Sequence, residues 1–136
     1  MYDKIIVPTD GSEIAMKGVT EGLNLAKELG KPATAIFVLE VGDIKMSENL
    51  EKTLKRGAKQ ALNEVEKVAD ELGVELEKKV LRGTPYKKIT EYAGEDDIIY
   101  ISSHGSSGFR ELFMGSTTDK VLRRANCTVS LVKGGY

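Results

Sequence analysis

Short apolar runs alternate with longer amphipathic ones along the chain. "KIIVPT" (residues 4–9) reads as a buried strand, closed by Pro8 and the turn signal Asp10-Gly11-Ser12. Ile14, Ala15, Val19, Leu23, Ala26 and Leu29 then recur at steps of three and four, which predicts a helix stopping at Gly30-Lys31-Pro32. "ATAIFVLEV" (33–41) is a second strand, rich in residues that suit a sheet. After a loop over 42–49, the longest helix is predicted from Leu50, Leu54, Ala58, Ala61, Val65, Val68 or Ala69, and Leu72, with Gly73 closing it. "VELEKKVLRG" (74–83) alternates apolar and charged residues, as expected of a strand near a sheet edge. Thr84-Pro85 opens a third helix, with Ile89, Tyr92 and Ala93 facing inward. "DIIYIS" (97–102) is a continuous apolar strand of the central kind. A loop follows it, then a helix carrying Val121, Leu122 and Ala125, and last the strand "CTVSLVK" (127–133).

This alternation predicts an α/β fold: an open five-stranded parallel sheet, Rossmann-like, with helices on both faces. No repeat or linker divides the chain, so residues 1–136 are expected to form one domain. In strand order 3-2-1-4-5, taken as the working arrangement, strands one and four flank the point where the order reverses. Ligands of such sheets lie there, outside the carboxyl ends of the strands. Two loops leave those ends, "PTDGSE" and "SSHGSSG".

Composition narrows the function. A chain of 136 residues can bury roughly two-thirds of its unfolded surface. Net charge is -1 with 30% charged residues, so there is no basic excess for general nucleic-acid binding. The densest basic cluster, Lys52–Lys59, is interleaved with apolar residues as on the wet face of a helix. No apolar run approaches a membrane span, and the first is too short for a signal peptide, which predicts a soluble cytoplasmic protein. The single cysteine, Cys127, is expected to be a buried free thiol.

Several chemistries lack their residues. There is no G-x-x-x-x-G-K-[ST] loop and no G-x-G-x-x-G after the first strand. One His and one Cys make no zinc constellation. Ser12, His104 and Asp10 could in principle form a hydrolase triad, but no serine stands in a nucleophile elbow. A phosphate-receiving regulator needs an aspartate after strand three, where this chain has Arg82-Gly83.

The stretch "ISSHGSSGFRELFMGSTTDK" (101–120) is the richest in candidate chemistry. Gly105, Gly108 and Gly115 allow close backbone approach, and successive N–H groups in such turns form anion-binding concavities. Ser116, Thr117 and Thr118 open a helix whose unpaired N–H groups and dipole favour a phosphate. The plainer reading makes Ser116 an N-cap, with Asp119 completing a capping box and weakening the pull on an anion. Asp10 could accept hydrogen bonds from a ribose or help hold magnesium; equally it could be an ordinary turn or cap residue. His104 reads as a locally bonded loop residue and Arg110 as a solvated charge.

Together these segments resemble the universal stress protein family over essentially the whole chain. "KIIVPTDGSEIA" resembles its opening strand and loop, and "RGTPYKKITEYAGEDDIIYISSHGSSG" its third-helix and fourth-strand region. "GSSGFRELFMGSTTDKVLRRANCTVSLVK" reads like its signature loop, helix and final strand. The ATP-binding branch carries G-x-x-G-x9-G-[ST], and here the match is Gly105, Gly115 and Ser116, with Ser102 at the first glycine. If that glycine serves a left-handed backbone or closest approach, a side chain costs affinity; ordinary backbone angles would tolerate serine.

The resemblance implies binding of ATP, with Mg²⁺. By position it implies Pro8, Thr9 and Asp10 bordering adenine and ribose, Val41 against the adenine, and Ile101 and Ser102 beside the nucleoside. Gly105, Gly115, Ser116 and Thr117 would hold the phosphates, and Asp10 is the one residue offered to the metal. It also implies a homodimer through the last strand (Thr128 to Lys133), an edge that invites pairing. No catalytic residue is assigned. A binding or signalling module is expected, with a nucleotide-independent dimeric adaptor and a slow ATPase or phosphotransferase as the alternatives.

Overall fold

A computed structural model of the protein describes residues 2–40, 47–103 and 115–133. Strand β1 (Ile5–Pro8) is followed by α1 (Glu13–Leu29), β2 (Ala33–Leu39), α2 (Glu48–Leu72) and β3 (Leu76–Arg82). Then come α3 (Pro85–Tyr92), β4 (Ile98–Ser102), α4 (Ser116–Arg124) and β5 (Thr128–Val132). Among the described residues the strands form one sheet in the order β3-β2-β1-β4-β5, every neighbouring pair parallel. The expected order is borne out.

β1 lies at the centre, pairing with β2 on one side and β4 on the other. All four of its residues are buried, as a strand covered on both faces requires. Ile5 and Val7 face α1 and α2, packing with Val19, Leu23, Leu62 and Val65. Ile6 faces the other way, toward Ile89 of α3 and Val121 of α4, together with Ile36, Ile99 and Ile101. Two helices therefore cover each face.

Local chemistry sets the element ends. Ser12 caps α1 by accepting the Ala15 N–H at 3.1 Å, and Ser47 caps α2 through the Leu50 N–H at 3.2 Å. Both helices stop at the expected glycines, Gly30 and Gly73, whose N–H groups bond back to the Ala26 and Ala69 carbonyls. Pro85 supplies the first turn of α3. One apolar residue departs from the helical pattern: Leu50 is 48% exposed in the first turn of α2, before that helix reaches the core at Ala58.

Two small residues decide how close α1 comes to the sheet. A β-carbon on Gly18 would stand 2.9 Å from the Ser102 hydroxyl and 3.0 Å from the Ser102 nitrogen; one on Gly22 would meet Val7 at 2.5 Å. A periodicity of apolar residues passes over both glycines, yet they let α1 lie against β1 and β4.

Candidate functional site

The chain reverses its direction of travel across the sheet between β1 and β4, and a crevice opens there at the strands' carboxyl ends. Its near wall is the turn after β1. The Thr9 N–H donates to the Ile36 carbonyl at 2.9 Å, carrying the pairing with β2 one residue beyond the strand. The buried Thr9 hydroxyl accepts the Gly11 N–H at 3.0 Å, and Asp10 Oδ1 accepts the Ser12 N–H at 2.9 Å. Gly11 turns at φ +87°, a backbone that residues with a β-carbon rarely adopt. The result is a tight turn that leaves the Asp10 carboxylate exposed at the crevice mouth.

The far wall is built around Ser102. Its hydroxyl donates to the Ile14 carbonyl at 2.7 Å and accepts the Gly18 N–H at 3.0 Å, so it is bound into the first turns of α1. Its carbonyl accepts the Thr118 hydroxyl at 2.7 Å, tying β4 to α4. The adjacent Ser103 carbonyl accepts the Gly115 N–H at 2.9 Å, and the Ser103 N–H donates to Val132 of β5. Ser102 lies in regular strand, paired with Val132, so no left-handed backbone is required at the first motif position. Serine is accommodated there because its side chain is bonded to α1 and Gly18 leaves room for it.

α4 starts at Ser116, with Gly115 as N-cap. This differs from the plainer of the two readings, in which Ser116 caps the helix and Asp119 completes a capping box. Ser116 is the first helical residue and contributes no side-chain cap, while Asp119 is held by Arg123, whose Nε lies 3.1 Å from both carboxylate oxygens. The Asp119 charge is thus partnered along the helix. The Gly115 N–H is spent on Ser103, and the N–H groups of Ser116, Thr117 and Thr118 are the first-turn donors without an acceptor among the described residues. Gly115 to Thr118 all line the crevice.

Between these walls the crevice holds about 260 Å³. One side is apolar, made by Ile36 and Val38 of β2, Pro85 and Ile89 of α3, and Ile101 of β4. The other carries Asp10, Ser116 and Thr117. Among the described lining residues Asp10 and Glu40 are the only titratable groups, and no cluster of three metal-ligating side chains exists among the described residues. The arrangement joins a flat apolar slot to a row of backbone donors at a helix N-terminus. It suits a ligand with an apolar ring at one end and an anion at the other.

Of the residues singled out from sequence, Pro8, Thr9, Asp10, Ile101, Ser102, Gly115, Ser116 and Thr117 converge on this crevice. Val41, Gly105 and the further loop candidates His104, Gly108 and Arg110 lie outside the described residues. Sequence reasoning missed Ile36, Val38, Glu40, Pro85 and Ile89. A signal for the first two existed, since alternate residues at the end of β2 must share a face beside β1. Cys127 is half-buried rather than buried and does not line the crevice; burial, then the Asp97 charge, pushes its thiol pKa up.

Fold and crevice define a doubly wound α/β protein with a cleft at the topological switch point, where sheets of this kind bind their ligands. The sequence matches the Universal stress protein family over residues 1–133, and the chain belongs to that family. It is 32% identical over 141 residues to universal stress protein MJ0531 of Methanocaldococcus jannaschii, covering 98% of this chain and 83% of that protein. Universal stress protein UspA from Lactobacillus plantarum superposes with a TM-score of 0.81 at 25% identity, covering 96% of this chain and 97% of that one. The same fold recurs in a universal stress protein solved in complex with cAMP (TM-score 0.78, 21% identity, 98% and 99% covered). It recurs again in one from Archaeoglobus fulgidus solved in complex with dAMP (TM-score 0.72, 23% identity, 97% and 98% covered).

Proposed function

We propose that this chain is a cytoplasmic, single-domain (1–136) ATP-binding module whose bound nucleotide governs its signalling state. The observation that carries this reading is the meeting of the α4 N-terminus with the apolar slot. In this reading adenine lies on the apolar side of the crevice, against the half-buried Val38 and Pro85 with Ile36, Ile89 and Ile101 beneath them, and the N–H groups of Ser116 to Thr118 take the phosphates. That two proteins of this fold were solved with adenine nucleotides, cAMP and dAMP, supports the choice of base.

Mg²⁺ fits the site as a companion of the phosphates. It is ordinarily bound by one or two carboxylates plus phosphate oxygens and water, and Asp10 offers such a carboxylate. Asp10 and Glu40 both carry negative charge beside a polyanion, so the metal's charge is needed to offset them. When bound, Mg²⁺ would neutralise the phosphates. Asp10 would hold it, and the α4 backbone would orient the nucleotide.

A homodimer through β5 belongs to the same reading. β5 is an edge of the described sheet, Leu131 on it is 43% exposed, and Lys133 is the one charge at its end among the described residues.

Calorimetric titration of nucleotide-stripped protein with Mg-ATP tests the proposal. One saturable site per chain is expected, weakened at least about tenfold by Gly115→Val, which places a branched side chain where the phosphates approach. Chelating Mg²⁺ should weaken ATP but leave adenosine binding unchanged. No heat at millimolar Mg-ATP would overturn the nucleotide reading.

A further inference from the structure

A second cleft, of about 520 Å³, lies on the opposite side of the sheet edge from the crevice residues, between α2 and β3. Its two banks follow from periodicity. Lys55 and Lys59 are one helical turn apart on α2, and Lys78, Val80 and Arg82 are alternate residues of β3 on the face turned to α2. The floor is Leu39 and Leu62, and Val80 between the two β3 cations is 47% exposed.

The cleft therefore presents cation–apolar–cation at two-residue spacing along an edge strand. Two cations already show what they accept. Arg82 holds Glu51 at 2.8 Å and Lys78 holds Glu66 at 3.0 Å, both carboxylates of α2 and both pairs half-exposed. Lys59, midway along the helical bank, has no ion-pair partner among the described residues. β3 has no strand beyond it in the described sheet, so its outer N–H and C=O groups are open to another strand.

We infer that this edge takes an extended acidic segment of a partner protein, of pattern acidic–x–apolar–x–acidic, added as a strand beside β3. In that register the apolar residue packs on Val80 and the two carboxylates face Lys78 and Arg82, with Lys59 above them. A second copy of this chain does not fit. Antiparallel pairing of two β3 strands about Val80 sets Lys78 against Arg82, a like-charge pair on each side. A nucleic-acid backbone would satisfy the cations but offers no side chain to Val80.

The test is fluorescence anisotropy of a labelled peptide containing Glu-Thr-Val-Thr-Glu, whose symmetric pattern allows either strand direction. Saturable binding that weakens with salt is expected, lost about tenfold or more in the Lys78→Glu/Arg82→Glu variant. Val80→Asp should weaken it comparably, and a retained cooperative unfolding transition shows that each variant still folds, although the charge reversal sets Glu against Glu66 and Glu51 and lowers its midpoint. A peptide of the same composition with its two glutamates adjacent should bind worse. The proposal is overturned by equal affinity for both peptides, by binding that ignores the charge reversal, or by the absence of saturation at millimolar peptide. It is also overturned if a single-stranded oligonucleotide binds this cleft more tightly than the peptide. None of these outcomes depends on nucleotide occupancy of the crevice.

Discussion

Ser102 bonds through its hydroxyl to Ile14 and Gly18 and through its carbonyl to Thr118, so one small residue joins α1, β4 and α4. Motif comparison alone sets serine against glycine at this position and suggests a loss. The geometry assigns the hydroxyl two partners on α1, in a slot opened by Gly18. Two outcomes follow. Ser102→Gly should lower stability by about 1–2 kcal/mol, because the part-buried Ile14 carbonyl and the buried Gly18 N–H lose their shared partner, while Mg-ATP affinity stays unchanged. Gly18→Ala should cost about 1–3 kcal/mol through overpacking against the Ser102 hydroxyl and backbone. In the double variant part of that cost disappears, since the hydroxyl contact is gone but the backbone contacts at 3.0 and 3.2 Å persist. Denaturant unfolding of the four proteins measures this coupling. A Ser102→Gly variant that instead binds Mg-ATP much more tightly would show that the side chain obstructs the site.

At the scale of elements, period and punctuation carried most of the information. β1 and β4 read as central strands because both faces are covered, leaving no polar alternation, and β3 read as an edge because its alternation survives. The crevice was legible where it depends on the ends of elements, as in the Asp10 turn after β1 and the start of α4. It was not legible where it depends on neighbours. Ile36 and Ile89 look like any core residues until β2 and α3 are placed beside β1. Leu50 misled for the same reason, since helical spacing continues past the point where the sheet stops covering α2. The two sheet edges differ in a way that sets their partners. β3 carries cations flanking Val80, whereas β5 exposes Leu131 with Val129 and Val132 half-buried beside it. The proposed self-pairing therefore falls to β5. Leu131→Lys should convert the proposed homodimer to monomer, read as a halved mass by light scattering, with the crevice unaffected. A wild-type chain that is monomeric at micromolar concentration would remove that part of the proposal.

For the whole molecule, the switch point is where two halves of the sheet meet. β1, β2 and β3 with α2 lie to one side and β4 and β5 to the other, and at the carboxyl ends the crevice separates the Asp10 turn from the start of α4. The halves are already joined behind the crevice by the Ser102 hydroxyl reaching α1. A nucleotide in front would close the remaining gap, touching β1 and β2 through its base and ribose and α4 through its phosphates. Because it binds only the folded chain, saturating ligand at about 100 times Kd should raise stability by about 2.7 kcal/mol. The distribution of that gain distinguishes the nucleotide from a non-specific anion. Hydrogen–deuterium exchange should slow on both walls together, at Thr9 to Ser12 and at Ser116 to Thr118, when Mg-ATP is added. Inorganic phosphate at the same occupancy should protect only the α4 wall, because it has no ring to fill the slot beside Ile36 and Ile89. Protection confined to α4 with Mg-ATP as well would mean that the protein recognises the phosphates alone, and that the apolar slot serves packing instead of adenine.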